Sequence, residues 1–236
     1  MSIVEDGGSR VSPGLTRAIG YALMALAAAA AIWNLAAPGA TAALAAIVLT
    51  AAAIAIPAAT PELFEVKGRW GGRGFNGLAL LPPMFVAVSG VQVSLVDSLV
   101  PWIAAAAGAV AGVTIGLVQM SRPGIVGRGQ LLLVQALAVG AFAFGATSVA
   151  DARFDPSDGS AARTTVADKY VGHGRSTSYN LKLAPWGPVS DVRTVSVSST
   201  TYDALNPGDP VCLTLHPGGL GLAWYVLADC QGQAPP

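Results

Sequence analysis

Residues 99–120 read LVPWIAAAAGAVAGVTIGLVQM, a run that contains no ionisable side chain. At a rise of about 1.5 Å per residue, a helix of this length extends roughly 30 Å, which is the thickness of the hydrocarbon core of a bilayer. The run therefore predicts a transmembrane helix, and this decides the fold class.

Four other apolar runs of similar length surround it. The chain is 53% hydrophobic and only 11% charged, whereas soluble domains carry roughly 25% charged residues. The third of the five runs contains Pro82-Pro83 and should be kinked there, because proline removes a helical hydrogen bond. The sequence predicts a transmembrane domain over residues 17–150 with about five helices, at 17–37, 40–59, 75–96, 99–120 and 129–149.

The first run has an alternative interpretation as a cleaved signal peptide. Arg10 and Arg17 would then form its basic region, and a small-residue cleavage site would lie near Ala37. The apolar stretch is long for a signal peptide, and a second apolar run follows at once. Both features favour a retained helix.

Basic residues predict the orientation, since short cytoplasmic loops of membrane proteins are rich in Lys and Arg. The loops at Pro38-Gly39 and around Asp97 contain neither residue type. We therefore expect a cytoplasmic N-terminal tail (residues 1–16), a multi-pass location in the cell inner membrane, and an extracytoplasmic, periplasmic C-terminal domain. The basic residues that border the spans all fall on the opposite, cytoplasmic side: Arg10, Arg17, Lys67, Arg69, Arg73, Arg122 and Arg128.

From Asp151 onward the composition changes to that of an aqueous domain. Residues 151–163 resemble a linker, residues 164–230 alternate polar and apolar side chains, and residues 231–236 form a tail. Five short strands and a helical turn capped by Ser199 predict a small all-β domain, either an OB-like or SH3-like barrel or an open antiparallel sheet packed on the membrane helices. The predicted strands are 164–171, 178–183, 193–198, 210–215 and 223–228.

Cys212 and Cys230 are the only cysteines, and both belong to the C-terminal domain. An extracytoplasmic domain with two cysteines favours a disulfide between them. The alternative is a pair of unpaired thiols, one of them buried. A redox-active pair is disfavoured because the spacing is far from C-x-x-C.

No motif predicts catalysis, and we expect neither a metal nor a cofactor. His173 and His216 are the only histidines, and neither has a partner at metal-ligand spacing. An enzyme would need these two histidines to converge with Asp209, which we retain as an alternative candidate site. The formal net charge of zero disfavours nucleic acid as a partner.

Gly108, Gly112 and Gly116 repeat every four residues along the fourth run, which allows another helix to approach closely. That helix could belong to the same chain or to a second copy, so a homo-oligomer through the fourth helix is an alternative. The predicted spans contain no carboxylate, lysine or histidine, and their one arginine, Arg17, begins the first span, so no charged group is expected near the middle of the membrane. Proton-coupled transporters usually need such a group.

These observations favour a non-enzymatic membrane protein that presents a small β domain for binding or scaffolding in the cell envelope. Its expected partners are the lipid bilayer and an envelope protein or glycan. Trp186, between two prolines, is the predicted partner surface, because exposed aromatic residues dominate many interfaces. A transporter or channel component is the alternative function, and an envelope enzyme is disfavoured.

Overall fold

The computed structural model describes residues 13–59, 65–67, 73–75, 80–121, 128–173, 177–228 and 230. The chain forms two compact units. The helical unit comprises Met1–Gln92 and Leu99–Arg153, and the β unit comprises Val93–Ser98 and Phe154–Pro236. The second boundary lies close to the composition change at Asp151, and the prediction of a helical region followed by a β-rich region is confirmed.

In its described residues, the helical unit contains five helices and a short hairpin. The helices are α1 (Pro13–Ala36), α2 (Ala40–Ala59), α3 (Leu81–Val91), α4 (Leu99–Met120) and α5 (Arg128–Arg153), and the hairpin strands are β1 (Glu65–Lys67) and β2 (Arg73–Phe75). Within this part of the chain, three segments are long and apolar enough to cross a membrane: Ala18–Ala36, Leu99–Met120 and Gly129–Arg153. The apolar parts of α2 and α3, Ala40–Ile56 and Leu81–Val91, are shorter. The unit is therefore compatible with a membrane protein.

The third helix differs from its prediction. It begins at Leu81 and has 11 residues, with Pro82 and Pro83 in its first turn. Proline is tolerated there because the first N–H groups of a helix have no intrahelical acceptor. The predicted kink is therefore wrong. The helical assignment is also wrong for Phe75, which lies in β2, and for residues 92–96, whereas residues 76–79 lie outside the described part of the chain.

The glycine face of α4 packs against α5 of the same chain. A Cβ atom at Gly108 would lie 2.7 Å from the carbonyl oxygen of Val139, and one at Gly112 would collide with the carbonyl oxygen of Gln135. Beside this contact, the buried side chain of Gln135 donates a hydrogen bond to Gln119 at 3.3 Å. A second copy of the chain would have to approach α4 on another face.

Helix α5 continues beyond its predicted end at residue 149 and includes Asp151, which is fully buried. A buried carboxylate in this apolar helix was not expected. The absence of such a group from the predicted spans therefore no longer argues against transport.

The β unit contains one curled antiparallel sheet, a half-barrel, in the order β5-β4-β3-β6-β7. The edge strands are β5 and β7, so the antiparallel sheet is open and is not a closed barrel, whereas its predicted packing on membrane helices stays a prediction. Each predicted strand overlaps an observed one. The elements are β3 (Ser160–His173), β4 (Thr177–Leu183), β5 (Arg193–Val197), α6 (Ser199–Ala204), β6 (Pro210–His216) and β7 (Trp224–Ala228).

The curl of the sheet follows from the length of β3. Its first half pairs with β6, from Ser160 to Thr165, and its second half pairs with β4 as far as His173. The register shifts between Val166 and Asp168, and such a bulge bends a strand and increases its twist. The apolar side chains of both halves can therefore face one core. Its buried members are Val166, Leu181, Leu183, Trp186, Val189, Val195, Val211, Leu213 and Tyr225.

The short helix α6 is capped by Ser198, one residue before the predicted cap. The Ser198 side chain accepts a hydrogen bond from the backbone N–H of Thr201 at 3.1 Å. At the other end of α6, the Lys169 ammonium donates to the carbonyl oxygens of Tyr202 and Leu205 at 3.0 and 2.7 Å. These contacts fix the helix against the sheet.

The segment Val93–Ser98, which connects α3 to α4, lies beside edge strand β7. The backbone N–H of Val96 donates to Ala223 O at 2.7 Å, and that of Tyr225 donates to Ser94 O at 2.9 Å. The guanidinium of Arg193, in the other edge strand, donates to Val96 O. The segment therefore contacts both edges of the half-barrel, although its sequence is distant from either strand.

Candidate functional site

The three residues of the alternative enzyme site do not converge. His173 lies at the end of β3 that forms the hairpin with β4, and His216 ends β6 beside the other end of β3. Asp209 lies between them, where its carbonyl oxygen accepts a hydrogen bond from the N–H of Val166 at 3.0 Å. These positions offer no shared pocket for a substrate.

Metal ligands are not clustered in the described part of the chain either. Within it, no group of three or more His, Cys, Asp or Glu side chains is arranged to hold a metal ion. Whether the protein needs a metal or a cofactor stays a matter of prediction.

One dense polar cluster does form, around Asp155, just after the end of α5. Its Oδ2 atom accepts hydrogen bonds from the Gly218 N–H at 2.9 Å and the Trp224 Nε1–H at 3.1 Å. Its Oδ1 atom accepts from the Ser157 N–H at 2.9 Å. The Asp155 side chain is only 1% exposed, so this carboxylate fastens the start of the linker to the turn between β6 and β7.

The same cluster contains a serine, a histidine and an aspartate, but not in the geometry of a catalytic triad. Ser157 Oγ lies 3.5 Å from His216 Nδ1, and Asp155 Oδ2 lies 3.9 Å from that same nitrogen. In a triad the aspartate accepts a hydrogen bond from one ring nitrogen and orients the ring, while the other ring nitrogen takes the proton of the serine. The His216 ring is instead stacked on Trp224, with centroids 4.2 Å apart. The cluster is arranged to hold the fold together.

The charge state of Asp155 is set by these contacts. Burial raises its pKa, but the hydrogen bonds from Ser157, Gly218 and Trp224 outweigh burial and lower the pKa to about 2. Asp155 is therefore ionised throughout the physiological range. Asp155 falls within the predicted linker, although Asp155-Pro156-Ser157 has the pattern of a turn in which an aspartate accepts a hydrogen bond from the N–H two residues later.

Trp186 is not a partner surface, contrary to its prediction. It is 4% exposed and belongs to the core, where its ring meets the edge of Tyr225 at a centroid distance of 5.3 Å. Backbone hydrogen bonds between Trp186 and Val189 fold the proline-rich loop into a tight turn that points the indole inward. The prediction failed because this turn has no periodic pattern from which burial can be read.

A different aromatic residue is exposed on the opposite face of the sheet. Tyr170 of β3 is 42% exposed and pairs across the sheet with Asn180 of β4. Beside it, the Lys182 ammonium lies 5.6 Å from the Tyr170 ring centroid and donates to Asp168 at 2.9 Å. The hydrogen bond from Lys182 lowers the pKa of Asp168 and raises the pKa of Lys182. We call these four residues the Tyr170 face.

The two cysteines lie in β6 and just after β7. Their Cα atoms are 5.2 Å apart, and their sulfurs are bonded as the predicted disulfide. Cys212 pairs with Ala228 across the two strands, so the bond fastens the end of edge strand β7 to β6.

No protein-family model, curated protein or solved structure matches this chain. Function has to be argued from the residues alone.

Proposed function

We propose that the chain is a multi-pass protein of the cell inner membrane whose β unit, on the extracytoplasmic side, is a non-enzymatic binding or scaffolding module for an envelope protein or glycan. Helices α1 to α5 would anchor this module. The proposal has two parts, the location of the β unit and its binding role, and each has its own test.

The observation that carries the proposal is that Val93–Ser98 belongs to the β unit. Only α4 and α5 separate this segment from Phe154, and both contain apolar segments long enough to cross a membrane. Two successive crossings return a chain to the side from which it started. This supports a location of both parts of the β unit on one side of the membrane, whatever the number of crossings before α4.

The positions of the arginines favour the extracytoplasmic side of the membrane for the β unit. Arg122 and Arg128 lie between the two crossings, and short loops rich in arginine stay in the cytoplasm. The disulfide between Cys212 and Cys230 supports the same assignment, because disulfides persist in oxidising compartments.

Labelling of the two cysteines tests the location. A membrane-impermeant maleimide should label the protein in spheroplasts only after treatment with a membrane-impermeant reductant, and without lysis. A matched variant with one added cysteine, Ser121→Cys at the end of α4, should be labelled only after lysis. Labelling of Cys212 and Cys230 that requires lysis, with no need of reductant, would place the β unit in the cytoplasm and contradict the proposal.

The Tyr170 face supports the binding role. An exposed aromatic ring combines apolar contact area with a hydroxyl group, and such rings are frequent anchors of interfaces. The ion pair between Lys182 and Asp168 is held in place beside it and leaves the patch without net charge. Such a surface suits an uncharged, hydroxyl-rich glycan or a polar protein surface.

Photo-crosslinking in intact cells tests this role. With a photo-reactive phenylalanine analogue in place of Tyr170, we expect a discrete adduct with an envelope component. The matched control carries the analogue at Val226 of β7, which is 47% exposed, and should give no such adduct. Identical adducts at both positions, or none at Tyr170, would contradict a binding role for the Tyr170 face.

A further inference from the structure

Three connections between the two units meet at the start of β7. The segment Val93–Ser98 receives the chain from α3 and returns it to α4, and Leu95 within it bridges to Trp224. The third connection follows α5, where Asp155 accepts the hydrogen bond from the Trp224 indole at 3.1 Å. One residue of the β unit therefore contacts every segment that joins it to the helices.

The loop between β6 and β7 lies at this same end. A Cβ atom built on Gly219 would lie 2.8 Å from the carbonyl oxygen of Phe154, the residue that directly follows α5. If α5 crosses a bilayer, the loop is held within a few ångströms of the point where the chain leaves it. Asp155 fixes this position through its hydrogen bond from the Gly218 N–H at 2.9 Å.

The composition of this loop suits lipid better than water. Residues 217–228 read PGGLGLAWYVLA and contain no Asp, Glu, Lys or Arg. The Leu220 side chain is 61% exposed at the tip of the loop, and Phe154 beside it is 43% exposed. Trp224 at the base of the loop is a residue type enriched at the boundary between membrane and water.

We infer that the β6–β7 loop is a membrane-contact site, in which Leu220 inserts into the boundary between headgroups and acyl chains of the bilayer that the helices cross. The inference rests on the proposed function, because it requires α4 and α5 to span that bilayer. A side chain at such a boundary lies in the outer part of the lipid layer, about 5–10 Å deep. The partner is lipid, because the loop is uncharged and is tethered at the exit of a membrane helix.

This contact would orient the β unit. With one end held at the lipid surface through Leu220, the second half of β3, which carries Tyr170 and ends at His173, extends away from the loop. A module oriented in this way would present the Tyr170 face at a fixed height instead of rotating freely on its connections.

Depth-dependent fluorescence quenching of the full chain in vesicles of zwitterionic and anionic phospholipids tests the inference. Cysteine is introduced at Leu220, at exposed Thr177 of β4, which pairs with His173, or at Val110 of α4, which is 68% exposed. Each variant is labelled with an environment-sensitive fluorophore under non-reducing conditions. Quencher is supplied either as iodide in water or as a nitroxide on lipid, placed near the top or the middle of the acyl chain.

We expect the label at Leu220 to be quenched about threefold more strongly by the shallow nitroxide than the label at Thr177, and to be correspondingly protected from iodide. A Leu220 label that iodide reaches as well as it reaches Thr177 would overturn the inference. So would a label protected from iodide but untouched by lipid quenchers, because a protein surface would then cover the loop.

The label at Val110 separates the two proposals. Strong quenching there by the deep nitroxide, without lipid quenching at Leu220, would reject the membrane contact and leave the membrane location intact. Absence of lipid quenching at Val110 would overturn the membrane location itself, and the contact site with it.

Discussion

Replacement of Gly112 with alanine should lower the free energy of unfolding of the helical unit by about 2 kcal/mol, through overpacking of the contact between α4 and α5. The added methyl group would collide with the carbonyl oxygen of Gln135 and lie 2.9 Å from the Cα atom of Ala136. Both are backbone atoms, so no side chain can rotate to make room, and the two helices have to separate. Separation also weakens the nearby hydrogen bond from Gln135 to Gln119.

The same substitution at Gly129 is the matched control, because a Cβ atom there would meet nothing within 4 Å. Alanine has a higher helix propensity than glycine, by up to about 1 kcal/mol, so Gly129→Ala should be neutral or slightly stabilising. Thermal unfolding in lipid nanodiscs, followed by the far-ultraviolet circular dichroism of the helices, measures both. Equal midpoints for the two variants would show that α4 and α5 are not packed through Gly112.

The elements that were predicted correctly from the sequence are those that depend on a local pattern of residues. The alternation of polar and apolar residues located all five strands of the sheet, and α4 has the predicted bounds of 99–120. The predicted and observed bounds agree for these elements because apolar periodicity and length are properties of a single segment. The kink at Pro82-Pro83 was predicted wrongly, because the sequence does not distinguish a proline inside a helix from a proline in its first turn until the start of the helix is known.

The parts that escaped prediction depend on contacts between distant segments. Ser94 and Val96 bond to the start of β7, more than a hundred residues away, through backbone atoms that carry no sequence signal. The same limit applies to Trp186, whose ring is buried against Tyr225, a residue that is distant in the sequence. Of the candidate site residues, the two cysteines are paired and the glycine face of α4 contacts another helix, as the sequence suggested, whereas Asp155 and the Tyr170 face were missed.

These long-range contacts show that the β unit is completed by the segment between α3 and α4. Val96 packs against the core of the β unit, and its carbonyl oxygen accepts the hydrogen bond from Arg193 in the opposite edge strand. The two parts of the β unit are thus joined both through the core and through hydrogen bonds. The β unit is therefore built from two separate segments of the chain.

Asp155 joins the segment after α5 to the sheet, because it accepts hydrogen bonds from Gly218 and Trp224. Asp155→Asn should therefore lower the unfolding midpoint of the β unit by on the order of 10 °C near neutral pH. The amide has the same shape, but it replaces a charged acceptor that receives hydrogen bonds from Gly218, Trp224 and Ser157. Asp158→Asn, a change of the same kind at an exposed position of the same linker, should leave the midpoint unchanged.

The destabilisation caused by Asp155→Asn should also depend on pH and should become smaller in acid, because the pKa of Asp155 is lowered in the folded protein. The folded protein holds the pKa of Asp155 at about 2, below the ordinary value of 3.8, so the unfolded chain binds the proton more readily. The stabilisation by the carboxylate is complete above about pH 4 and is lost as the pH falls towards 2. Unfolding midpoints of the wild type and the variant, followed by tryptophan fluorescence between neutral pH and pH 2, should converge at the acid end. A difference that stays constant over this range would mean that the asparagine disturbs packing, and that the charge of Asp155 does not hold the linker to the sheet.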